Sequence, residues 1–144
     1  MKIQRGNAAL DPLFYHELRD AVTKTHALLI EADLGSPEVR DYLNGVRIIL
    51  SSRMVSAAGS AQIRKHSITL NVRMLTKHRH MLLTTFVHEI AHLLAAKFFG
   101  DPGHGKGWKE LMVKLGQRPE RCFKGLPEIE HVPPAPVASS PLSP

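Results

Sequence analysis

The chain has a single cysteine, Cys122, in 144 residues. That excludes an intramolecular disulfide framework and any structural zinc site built on paired cysteines. Aromatic residues are also few, with one Trp, two Tyr and five Phe, so a nucleic-acid platform built on successive base stacking is not expected. Nowhere do 18 apolar residues run together, and the opening stretch MKIQRGNAALDP has no apolar signal-peptide core. These absences lead us to expect a soluble cytoplasmic protein, nucleoid-associated if bacterial, with no membrane partner.

Net positive charge is missing from both ends and concentrated between them. Residues 1–44 hold five Lys/Arg against seven Asp/Glu, residues 45–124 hold fourteen against four, and residues 125–144 hold none against two. The net charge of +6 is therefore the sum of −2, +10 and −2. A basic middle segment is the electrostatic footprint of a phosphate-binding surface, and Arg64, Lys65, Arg73, Lys77 and Arg79 are its densest part. The competing reading is an ordinary solvated face.

The chain divides into a helical N-terminal part (1–45), a core (46–124) and a Pro/Ser-rich tail (125–144) that cannot bury enough apolar surface to order itself. Asp11-Pro12 reads as an N-cap and first helical residue, and an apolar stripe continues to about Glu31. Ser36-Pro37 starts a short second helix that ends at Asn44-Gly45. From Val46 the period shifts toward two, and VRIIL, AQIR and SITLNV read as three strands, antiparallel to one another. His16, His26, His66, His78 and His80 read as bystanders, the last three solvated among basic neighbours.

Chemistry is concentrated in HEIAHLLAAKFFGDPGHGKGWKELM, residues 88–112. Residues 81–99 lack Gly and Pro, with Thr76 available as N-cap and Gly100 just past the end, so this segment reads as a helix. His88 and His92 then lie one turn apart on one face, roughly 6 Å along the axis, where two imidazoles can share one ion. Glu89 stands beside such an ion without having to ligate it, the position of a general base acting on water. Thr84, Thr85, Ala91 and Ala95 surround the pair with small side chains, and the opposite face, with Phe86, Val87, Ile90, Leu93 and Leu94, is core.

A catalytic zinc site takes a third protein ligand and keeps a fourth position open. His104 is one candidate, flanked by Gly105 and Gly107, which allow the backbone to pass close to the site. Glu110, inside a second helix that begins at Trp108, is the other. The flanking glycines favour His104. Trp108 shares a helical face with Leu111, Met112 and Leu115 and belongs to the core rather than to a base-stacking surface.

Together, HEIAHLL and HGKGWKELM resemble the two-part motif of the SprT-like, Spartan-related family of zinc metalloproteases, and the likeness covers about Val46 to Lys124. The resemblance implies an α+β, zincin-like metalloprotease domain with a small sheet packed on helices. It also implies zinc held by His88, His92 and His104, and Glu89 as catalytic base. Its further implications are protein substrates crosslinked to or bound on DNA, stimulation by single- or double-stranded DNA of any sequence, and an edge strand that pairs with extended substrate. On the basic segment, DNA contacts would fall to Arg64, Lys65, Arg73 and Lys77. The paired-cysteine zinc ribbon of many members has no counterpart here. Two other classes remain open at this level: a DNA-binding module with a structural zinc, and a metallohydrolase acting on another bond.

Overall fold

A computed structural model describes residues 1–4 and 11–119. The expectations for Cys122 and the Pro/Ser-rich tail lie outside the described residues.

Helix α1 spans Pro12–Glu31 and starts as its sequence suggests, with the Asp11 carboxylate accepting from the Leu13 N–H and Pro at the first position. It buries Phe14, Leu18, Ala21, Thr25 and Leu29, spaced by three or four, and the one polar member, Thr25, donates its hydroxyl to the Ala21 carbonyl at 2.8 Å. Helix α2, Pro37–Asn44, is capped by the Ser36 hydroxyl and buries Val39 and Leu43.

The sheet departs from the antiparallel triple expected from the sequence. It has four strands, β1 (Lys2–Gln4), β2 (Arg47–Ser51), β3 (Gly59–Gln62) and β4 (Ser67–Asn71), in the order β1-β2-β4-β3. β2 is parallel to both β1 and β4, and only β3 and β4 are antiparallel. Side-chain alternation is the same for both strand directions, so the period of two does not encode them. Here β3 and β4 form a hairpin, and β4 inserts between β3 and β2. Ile48, Leu50, Ile68 and Leu70 pair in register across β2 and β4 with no exposed surface, and they line the core.

Asn71 ends β4 and caps the short helix α3 (Val72–Lys77): its Oδ1 accepts from the Met74 N–H, while its Nδ2 donates to the Ala57 carbonyl. A 3-10 turn, Arg79–Met81, leads into helix α4, Leu82–Phe99. Thr76 therefore lies inside α3 and is not the cap of α4, whose cap position, Met81, makes no side-chain bond. Gly100 ends α4 in the left-handed conformation at φ 65°, as glycine does at such positions.

α4 contacts α1, β3, β4 and helix α5 (Lys106–Lys114), and twelve of its residues are buried. The stretch Arg79–Phe99 has the length and hydropathy of a membrane span, yet 67% of its 18-residue apolar window is buried against the protein's own elements. That is the condition of a core helix. Arg79 fastens this central element to α1, donating from Nη1 to Glu17 at 2.6 Å and from Nη2 to Asp11 at 2.7 Å.

Candidate metal centre

Helical spacing brings His88 and His92 together as expected, with ring centroids 5.1 Å apart. Both residues, and Glu89 between them, are 1% exposed. α4 ends at Gly100, and the loop of residues 101–105 returns the chain so that His104 lies 5.7 Å from His88 and 4.3 Å from His92, centroid to centroid. One ring nitrogen from each histidine falls within 4.8 Å of the others, which groups the three as candidate ligands of one ion. His104 is the least buried of the three, so the site opens on its side.

Trp108 packs against the whole trio. Its ring stacks on His92 at 17° and 5.2 Å, and lies 5.0 Å from His88 and 4.6 Å from His104. Its surface is fully buried, which agrees with a core position rather than a base-stacking one. Glu110 lies on the exposed face of α5, 3.9 Å from Lys106, and is not part of the cluster.

Burial sets the protonation of the two helical histidines. It pushes the His88 imidazole down to about 2, and repulsion by His92 and His104 adds to the effect. His92 falls to about 3, first through burial and then through His104, with the Gly103 backbone and the Asp101 charge opposing. Neutral imidazole is the form that ligates a metal. Burial also raises the Glu89 carboxyl well above the usual carboxylate range, and its Oε1 has no hydrogen-bond partner. A cation alongside would favour the ionised carboxylate. Imidazole nitrogens at this spacing, with the buried Glu89 carboxyl beside them, fit a metal ion: the three histidines can hold one.

The glycines around His104 have a different reason from the one suggested by the sequence. A Cβ on Gly105 would lie 3.0 Å from Asp101 Oδ2, and one on Gly107 would lie 3.1 Å from Asp101 Cβ and 3.2 Å from Phe99 Cβ. The backbone approaches Asp101 and Phe99, not the imidazoles. Asp101 is the functional candidate that sequence reading passed over, because Asp-Pro-Gly reads simply as a turn.

β3 lies over the other end of the site. A Cβ on Gly59 would meet Thr85 Cγ2 at 3.0 Å and Glu89 Cγ at 3.2 Å, so this strand's main chain rides directly on α4 at Glu89. Thr85, one turn before Glu89, is also fully buried and its hydroxyl has no hydrogen-bond partner.

The basic residues do not gather into one cluster. Arg64 and Lys65 are exposed in the β3–β4 turn, whereas Arg73 and Lys77 are exposed on α3. The five residues of β4, roughly 16 Å of extended chain, lie between the two pairs. Arg79 is neutralised by Asp11 and Glu17. His66 is not simply solvated: its Nε2 lies 2.7 Å from the Tyr42 carbonyl oxygen and its ring 4.2 Å from that of Tyr42. His78 and His80 contact each other at 6.3 Å and do not join the trio.

The profile of the SprT-like family matches residues 30–130, a range that contains the whole histidine cluster. The chain belongs to the SprT-like family. This SprT-like chain is 30% identical over 123 residues to Protein SprT of Cronobacter sakazakii, covering 84% of itself and 68% of that protein. It is 41% identical over 62 residues to Protein SprT of Photorhabdus laumondii, covering 42% of itself and 32% of the relative. For Protein SprT of Yersinia enterocolitica the identity is 38% over 66 residues, covering 44% and 39%. The matched part is thus 32% and 39% of the length of the second and third relatives. No solved structure matches the chain.

Proposed function

We propose that this SprT-like chain is a zinc-dependent endopeptidase that cuts proteins held on DNA and is stimulated by that DNA. The observation that carries the reading is the convergence of three imidazoles within 4.8 Å, with the buried Glu89 carboxyl next to them and the β3 main chain across it. His88, His92 and His104 would hold zinc and leave one coordination position open. Zinc at such a site supplies Lewis acidity, polarising a carbonyl and bringing water's pKa to about 7.

Glu89, ionised once a cation neutralises the penalty of its burial, accepts a proton from the attacking water and delivers it to the departing amine nitrogen. β3 is an edge strand with no further partner among the described residues. An extended peptide added to that edge would run its main chain past Glu89, and recognition would rest on backbone hydrogen bonds, tolerating many side chains. Support for DNA is electrostatic: Arg64, Lys65, Arg73 and Lys77 expose four cations in two pairs. Such a surface attracts phosphate without reading sequence.

The test is proteolysis of a DNA-binding protein by the purified, zinc-loaded chain, with and without single- or double-stranded DNA and with and without chelator. Cleavage is expected to need zinc and to rise with DNA, and the stimulation should fade as salt increases. Stoichiometric zinc without any cleavage would reject the protease reading. Cleavage indifferent to DNA, and to replacing the four cations with Glu, would reject the DNA reading alone.

A further inference from the structure

We infer that Asp101 is a positioning residue for the metal site, holding His104 where the two helical histidines need it. The inference rests on the metal-binding reading above. His88 and His92 owe their spacing to α4, but His104 stands in a loop with no regular hydrogen-bond ladder. Asp101 constrains this loop directly. Its Oδ1 accepts from the Gly103 N–H at 3.0 Å and from the Gly105 N–H at 3.3 Å, the residues on either side of His104. Its Oδ2 accepts from the Trp108 N–H at 2.9 Å.

The same residue closes one helix and opens the next. The Asp101 N–H donates to the Ala95 carbonyl at the end of α4. At the start of α5 the cap residue is Gly105, which has no side chain to offer, and the Asp101 carboxylate serves the first turn instead. Burial opposes ionisation of Asp101, but the N–H groups of Trp108, Gly103 and Gly105 outweigh it and the carboxyl is held below its usual range. Both oxygens are committed to backbone donors, so Asp101 is not itself placed as a ligand. Gly105 and Gly107 leave the space that the carboxylate fills. The bond to Trp108 also fixes the indole that packs on all three imidazoles.

The test compares zinc affinity, measured by competition with a chromophoric chelator, in wild type, Asp101→Asn, Asp101→Ala, His104→Ala and the double variant Asp101→Asn/His104→Ala. Cobalt(II) absorption serves as a second probe of ligand number, and the melting temperature of each metal-free variant as a check on folding. Asp101→Asn keeps the side chain's size and one acceptor, so it carries the test if Asp101→Ala does not fold. The expected result is a loss of affinity of about 10- to 100-fold in Asp101→Asn, a weaker tetrahedral cobalt band, and no additional loss when the change is made on the His104→Ala background. Unchanged affinity in Asp101→Asn, or an equal loss with and without His104, would overturn the inference. A role confined to capping the loop lowers only the metal-free melting temperature and would overturn it too. Failure of wild type to bind zinc would instead reject the metal site itself.

Discussion

Two imidazoles of the candidate centre come from a helix and the third from a loop, and the two regions hold their ligands by different means. In α4, the backbone ladder and twelve buried residues set the positions of His88 and His92. Their relative placement would survive most single substitutions in the surroundings. In the loop of residues 101–105, one carboxylate performs the equivalent task with three backbone hydrogen bonds. A ligand on a helix inherits its geometry from the helix repeat, whereas a ligand on a loop needs a dedicated partner.

The largest effect that bears on this comparison is chemical. Glu89→Gln leaves both ligand regions intact and should lower peptide hydrolysis about 10²- to 10⁴-fold. Near-stoichiometric zinc should remain, as measured by metal analysis. Turnover close to wild type in that variant would remove Glu89 from the mechanism. Next in size is metal affinity: His92→Ala and His104→Ala should each weaken zinc binding severely, while Glu110→Ala leaves it nearly unchanged. A reversed order for His104 and Glu110 would break the assignment of the loop ligand.

A smaller effect is expected in the pH dependence of the metal-free protein. His88 and His92 have folded-state values near 2 and 3, far below the ordinary 6.5. Unfolding therefore takes up protons below about pH 6.5, and the stability that these groups contribute is lost as pH falls through that point. Glu89 acts in the opposite sense. It stays protonated when folded but ionises above about 4.5 when unfolded, so its contribution is lost as pH rises. Between about pH 4.5 and 6.5, two histidines outweigh one carboxyl, so stability should rise with pH across that window. Melting temperatures in chelator should thus climb from about pH 4.5 to 6.5. A flat profile in chelator would contradict the burial-driven shifts.

The smallest effect is steric. A methyl at Gly107 meets Asp101 and Phe99 at 3.1 and 3.2 Å, an overpacking penalty partly offset by better helix propensity. Gly107→Ala should therefore cost about 1 kcal/mol in chemical denaturation. A stabilised variant would show that the loop has more room than its contacts imply.

What was legible in the sequence follows the range of the interaction that encodes it. α1 and α2 announce themselves through Asp11-Pro12 and Ser36-Pro37, because caps act within a turn. The juxtaposition of His88, Glu89 and His92 is likewise local, fixed by the helix repeat. Strand direction is not local. β1 is only three residues long and pairs with residues 47–49, and nothing in its own sequence marks it as a strand. The start of α4 misled for a related reason: Thr76 has the right chemistry for a cap, but Asn71 ends β4 and starts α3 first. At the loop, glycine was correctly read as a sign of close approach, but the group approached was Asp101, six residues before Gly107. Only the folded loop reveals that partner.

Trp108 gives the site an optical consequence. It is the one tryptophan in the sequence, and its indole lies between 4.6 and 5.2 Å from each of the three imidazoles. The intrinsic emission of the protein therefore originates almost entirely at the candidate centre, with no background from a second indole. An ion settling among the rings, or a change in their charge, alters the field around that single emitter. Occupancy of the centre can then be followed in the unlabelled protein, in real time, by its own light.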